Sequence, residues 1–428
     1  MRPPSIPKIP LFLLFLLFLG ALSTPLGAQD QFTGRGDDLV LRLAVIGPGN
    51  ELYFWWGHIG LVVEDMRTGE ELFFDWGVFS FDNENFFTNF TMGRLIYSCY
   101  VSPADWNYRG YINTNRDITL YTLDLDPERK EEVLRRAAIN MLPENRDYNY
   151  HHFDDNCATR IRDLLDIALE GRFFEAYGQM PSQFTLRQQV RRHTWFNPLV
   201  DWALSFWMGQ RIDRPITVWD DMFLPSEIGR RALEFSYTDN SGRQRPLVSS
   251  VEVIYASQGR PVVREIPRPQ GPQQLIGSLV FSALLLGFYK YRGGTLAFRR
   301  TLGLTQASLG LFFGIAGTML AFMMALTDHD YTYENANILF VNPLFIASIP
   351  LGLRLAFNRD EDKRQGALKI SLVFWIYLAA AGLISMLIRL FPPFYQQNQD
   401  SQAMIIPAAL ALALVYYWLT RGREPPEP

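Results

Sequence analysis

Residues 148–165 read YNYHHFDDNCATRIRDLL, and this stretch decides how the first half of the chain is folded. From Cys157 onward, Ile161, Leu164, Leu165 and Ala168 recur at helical spacing. Asp155 or Asn156 supplies a cap, and Gly171 closes the helix. A cysteine is thereby placed in a first turn, where unpaired N–H groups and the helix dipole favour a thiolate. Two other readings stay open: a buried structural cysteine, or a disulfide with Cys99, the only other cysteine, in LIYSCY.

Upstream, Leu39–Ile46 (LVLRLAVI) is expected to be a buried strand stopped by Gly47-Pro48-Gly49. His58–Glu64 and Glu71–Trp76 are expected to form a hairpin, with Arg94–Val101 and Ile118–Asp124 as further strands. Asp126-Pro127 starts a helix that runs to Met141 with one apolar stripe. A thiol nucleophile needs a base, and His58 opens the second strand, on a face shared with Gly60 and Val62. The small Gly60 is expected to leave room there for a substrate or another chain. Asp75, on the neighbouring strand, is placed to orient the imidazole, or else simply starts a turn before Trp76-Gly77. Tyr150 and the Asn156 amide lie in the cysteine segment as substrate-binding and oxyanion candidates. His151, His152, Asp154, Asp155 and Cys157 match no common zinc spacing, so no metal is expected. There is no serine elbow, Walker loop or dinucleotide fingerprint, and no cofactor is expected.

Downstream, FNPLVDWALSFWMG (196–209) reads as a helix begun by Asn197-Pro198, either buried or lying on a membrane surface. A linker rich in Pro, Gln and Gly covers 258–274. Five apolar spans are expected at 275–289, 302–326, 338–357, 367–390 and 402–420. Lys290, Arg292, Arg299, Arg300, Arg359, Lys363, Arg364, Arg421 and Arg423 fall in alternate connections; the others carry Asp328, Asp330, Glu334 and Asp400. Basic connections stay cytoplasmic, which puts the first domain outside the cytoplasmic membrane. Arg2, Lys8, the charge-free run Leu11–Leu19 and Gly27-Ala28 independently read as an export signal, or as an uncleaved anchor helix. The layout is thus a signal at 1–28, an exported α+β domain at 29–257, the linker, five membrane helices over 275–420 and a cytoplasmic tail at 421–428. A net charge of −4 argues against nucleic acid as a partner.

Taken together, GHIGLVV (57–63), FFDWGVFSF (73–81), Gly93-Arg94 and YNYHHFDDNCATRIRDLL resemble the periplasmic domain of the Lnb-type lipoprotein N-acyltransferases. RIDRPITVWDDMFLP (211–225) is similar to the end of that domain, and TDHDYTYENANILFVNPL (327–344) to a motif between its membrane helices. The resemblance implies a circularly permuted papain-like (NlpC/P60-like) thiol fold, with His58 and Cys157 as base and nucleophile. It also implies transfer of an acyl chain from a phospholipid to a diacylated lipoprotein. On that reading Arg94 and Arg160 are candidates for lipid phosphate, and Phe79, Phe81, Phe86, Phe87 and Phe90 for an acyl groove. His329 either completes the site from an outer loop or staples Asn335 or Asn337. The alternatives are an envelope thiol hydrolase acting on lipid or peptidoglycan peptide, and a non-enzymatic membrane assembly or sensor module.

Overall fold

The computed structural model describes residues 33–79, 85–260 and 263–422. The expected export segment, Phe81 and Arg423 lie outside the described residues. The described chain forms two compact units: one holds the residues up to Phe87, Arg94–Ser182 and the stretch from Ile216 to the linker. The other holds Thr88–Gly93, Gln183–Pro215 and the chain from Val263 onward.

The first unit is built on a seven-stranded sheet: β1 (Leu39–Ile46), β2 (His58–Asp65), β3 (Glu70–Val78), β4 (Leu95–Pro103), β5 (Ile118–Leu123), β6 (Asp147–Tyr150) and β7 (Val248–Tyr255). The order is β7-β5-β1-β2-β3-β4-β6, and neighbouring strands are antiparallel. Strand alternation gives each face its own core. Leu41, Leu43, Ile59, Leu61, Phe74 and Trp76 pack against α2 (Pro127–Asn140), α3 (Cys157–Ala168) and α4 (Pro225–Glu234). Ala44, Ile46, Val62 and Phe73 look the other way, toward Ala104, Tyr108 and Tyr111 of α1 (Ala104–Asn113).

Two irregularities shape one end of the sheet. β2 and β3 stay paired only as far as Gly60 opposite Asp75, so His58 pairs with Ile46 of β1 alone. β3 then carries an extra residue against β4, since Asp75 faces Tyr100 but Val78 faces Ser98. Such a bulge bends the strand and re-aims side chains, and bulges are common beside active sites. Gly60 does not leave room for a ligand. A Cβ there would lie 2.2 Å from the Phe73 ring and 3.0 Å from the Phe74 carbonyl oxygen.

In the second unit four helices are long and apolar enough to cross a membrane: α5 (Gly271–Arg292), α6 (Leu296–Leu326), α8 (Glu361–Ile388) and α9 (Gln399–Thr420). The expected third span is shorter. α7 (Phe345–Phe357) has 13 residues and an internal Pro350, or about 20 Å against a hydrocarbon core of about 30 Å. The apolar run counted from 338 is broken at Asn342-Pro343, where Asn342 Oδ1 accepts the Leu344 N–H at 3.1 Å. α6 and α7 cross closely, for a Cβ on Gly303 would meet the Gly352 carbonyl oxygen at 2.4 Å.

The segment 183–215, expected within the exported domain, belongs to this unit for a physical reason. The buried Arg187–Asp213 pair closes it on itself. Trp202, Phe206 and Trp207, on the helix Pro198–Trp207, pack into the membrane-helix core. The Phe206 carbonyl accepts the Asn335 and Asn337 amides at 2.8 Å each.

Replacing Gly60 with valine should therefore destabilise the first unit by about 1–3 kcal/mol, the usual cost of overpacking a filled core. Thermal unfolding followed by near-ultraviolet circular dichroism checks this, and an unchanged melting temperature would refute the packing.

Candidate active site

Asn156 builds the start of α3. Its Oδ1 accepts the N–H groups of Ala158 and Thr159 at 2.8 and 3.0 Å, while its own N–H donates to Thr159 Oγ1 at 2.8 Å. This reciprocal cap satisfies the second and third donors of the helix. The N–H of Cys157, at the first helical position, is not taken by the cap. Asn156 Nδ2 donates to the His152 and Phe223 carbonyls at 2.7 and 3.0 Å. Both amide hydrogens are thus engaged in holding the loop, so the expected oxyanion role does not fit this side chain.

His58 and Asp75 sit on one sheet face as diagonal neighbours across β2 and β3. The imidazole Nε2 and Asp75 Oδ1 are 3.0 Å apart, and both side chains are largely buried. The Gly77 N–H donates to the same oxygen at 2.6 Å, which the bulge makes available. Nε2 being occupied, Nδ1 is the nitrogen left for Cys157, whose thiol lies within hydrogen-bonding reach of the ring. Tyr111 covers the imidazole at 6.2 Å between ring centroids.

Burial alone would lower the His58 pKa. The Asp75 carboxylate and the charge at Cys157 outweigh it and raise the value to about 10. Asp75 feels burial first as well, but the facing imidazolium holds its carboxyl below the ordinary range. The arrangement favours an imidazolium between two anions. Cys99 has the opposite character: it is buried, and burial pushes its thiol up to about 12. Both cysteines are free.

The other expected residues divide. Tyr150 stacks on Tyr97 at 4.2 Å, Tyr97 on Phe79 at 4.9 Å and Phe79 on Phe86 at 6.3 Å, a continuous aromatic run. Phe87 stands 74% exposed next to Phe86. Arg94 is exposed just before β4. Arg160 is already committed, bonding Asp155 at 2.6 and 2.8 Å and lying over the Tyr148 ring, so the expected phosphate contact does not fit it. In the second unit His329 Nε2 bonds the Phe90 carbonyl at 3.1 Å. It staples a different segment from the one expected, because Asn335 and Asn337 hold Phe206.

Sequence reading missed three residues. A Cβ on Gly77 would lie 2.5 Å from His58 Cε1 and 3.2 Å from Asp75 Oδ1, so glycine there lets the pair form. Tyr111 is the lid on the imidazole. Arg116 is buried, donates to the Gly47 carbonyl at 2.9 Å and lies over Phe54. No spacing connects 111–116 to His58 in sequence; only the WG dipeptide hinted at Gly77.

Gly77→Ala should leave the fold intact yet displace the imidazole and slow Cys157 alkylation by iodoacetamide at neutral pH, misplacements of about 1 Å costing up to about a hundredfold in site chemistry. Wild-type alkylation in a folded Gly77→Ala protein would contradict the geometry.

No curated protein and no solved structure matches the chain. Two family models do, in this order: the Lnb N-terminal periplasmic domain over residues 30–190 and the Lnb transmembrane domain over residues 268–422. The mixed sheet-and-helix unit and the apolar helical unit have the character those two descriptions name. The chain belongs to the Lnb family, as a multi-pass membrane protein with a periplasmic N-terminal domain.

Proposed function

We propose that the protein is a lipoprotein N-acyltransferase that works through a Cys157 thioester. The observation that carries this reading is the thiol at the first position of a capped helix, beside an imidazole raised to about 10 by Asp75. Membership in the Lnb family supports it from a separate direction. We further read the order His58-strand before Cys157-helix as a permuted papain-like arrangement. The short α7 is read as completing a five-span membrane domain.

In the first half-reaction the Cys157 thiolate attacks the ester carbonyl carbon of a phospholipid. The developing oxyanion accepts the free Cys157 N–H. The imidazolium of His58 then gives its proton to the departing glycerol oxygen, and lysophospholipid leaves. In the second, the α-amino group of a diacylglyceryl-cysteine attacks the thioester carbon, and neutral His58 removes the amine proton. Collapse expels the thiolate and leaves an amide. Asp75 holds the ring and stabilises its charged form throughout. The aromatic run from Phe86 to Tyr150 provides an apolar path for the acyl chain and keeps water from the thioester.

The decisive test is complementation of a host depleted of its own apolipoprotein N-acyltransferase, with mass spectrometry of lipopeptides. Wild type should add one N-linked acyl chain. Cys157→Ala should add none, and His58→Ala should be reduced by about 10²–10⁴-fold. Full N-acylation by folded Cys157→Ala would refute the reading, while free fatty acid without N-acylation would favour a thiol hydrolase.

The pH dependence has a definite sign. Because the folded His58 holds its proton more tightly than an ordinary imidazole, the ion pair persists through neutral pH, and activity should fall as pH rises through about 10. The matching contribution to stability is complete below about 6.5 and lost between there and about 10. Asp75→Asn removes the largest raising influence and should move the alkaline limb to lower pH. An unmoved limb would show that Asp75 does not tune the imidazole.

A further inference from the structure

The membrane unit contains a chamber of about 740 Å³, within the range of roughly 300–1,000 Å³ typical of ligand sites. It exists because of how the helices pair. α5 packs along α9 and α6 along α7, while α5 and α6 have few contacts beyond their connecting turn. Phe281, Phe312, Phe345, Trp375 and Met404 supply apolar wall. Thr301, Thr305 and Ser308 line it from α6, and their spacing of four and three residues puts three hydroxyls on one face of that helix.

The dimensions and charges restrict the occupant. Along α6 the lining runs from Thr301 to Phe313, or about 18 Å at helical rise, close to the roughly 15 Å that one leaflet contributes to the hydrocarbon core. The hydroxyl end adjoins the basic connection that carries Lys290, Arg292, Arg299 and Arg300. Arg299 Nε is buried there without a hydrogen-bond partner among the described residues. The opposite end is walled by rings. An apolar chamber of one leaflet's length, with hydroxyls and guanidinium groups at its mouth, complements a chain attached to an anionic head.

We infer that the membrane unit holds one acyl chain of an anionic glycerophospholipid in this chamber, with the phosphate at Arg299 and Arg300 and the chain directed toward Phe312. The lipid belongs to the leaflet on the side of the basic connections. It is bound as a resident component, so the inference does not rest on the acyl-transfer reading.

The test uses full-length protein purified in detergent, washed exhaustively, with retained lipid quantified by mass spectrometry. Wild type should retain about one phospholipid per chain, enriched in anionic head groups over the membrane it came from. Thr305→Trp and Ala408→Trp fill the chamber from two different helices, and each should lower retention about tenfold or more. Arg299→Gln with Arg300→Gln should abolish the anionic enrichment. Cys157→Ala should retain lipid as wild type does, which separates this result from the fate of the transferase reading. A second measurement guards against misfolded variants: phospholipid brominated on its acyl chains should quench wild-type tryptophan fluorescence more than that of Trp375→Phe. Retention equal in wild type and both filled variants, head-group composition matching the bulk membrane, or quenching indifferent to Trp375 would each overturn the inference.

Discussion

The site depends on one constraint, the reciprocal cap that Asn156 places on the start of α3. Its Oδ1 satisfies Ala158 and Thr159, and its Nδ2 ties the preceding loop to the His152 and Phe223 carbonyls. Because four bonds converge on one buried amide, the position of Cys157 is fixed from both sides of the chain. An unmade bond at such a buried carbonyl would cost about 1–3 kcal/mol. The thiol therefore faces the sheet with little freedom, and the sheet presents the imidazole to it.

The sheet adds a second constraint of a different kind. Early loss of pairing between β2 and β3 frees the end of β3, and the bulge after Asp75 turns its carboxylate and the Gly77 N–H toward His58. Burial would otherwise neutralise the imidazole. Two neighbouring negative charges reverse that tendency, so the same low-dielectric setting that penalises an isolated charge stabilises this triplet. Cys99 shows what burial does without such partners: its thiol is driven upward and stays inert.

Much of this was legible from residues alone, and what escaped has physical reasons. Alternating apolar positions bounded β1 at Leu39 and Ile46, and Asn156 announced a helix beginning at Cys157. The hairpin register brought Asp75 alongside His58. The use of Gly60 was misread because sequence shows a missing side chain and not the Phe73 ring that fills its place. Asn156 looked like a free donor because its second role, tying down the Phe223 carbonyl, joins positions 67 residues apart. The third span was overcounted since hydropathy averages over Asn342-Pro343, where the helix cannot extend. Segment 183–215 was assigned by its place in the chain, whereas the buried pairing of Arg187 with Asp213 and the ring contacts of Trp202 and Phe206 decide its unit.

The central claim is that Cys157 becomes covalently acylated. Purified full-length protein incubated with phospholipid bearing a labelled acyl chain, and with no lipoprotein acceptor, tests it most directly by peptide mass spectrometry. The account predicts one labelled acyl group on the Cys157 peptide, released by neutral hydroxylamine and absent from His58→Ala at short times. Acyl transfer to an added lipoprotein with Cys157 unmodified at every time point would contradict it.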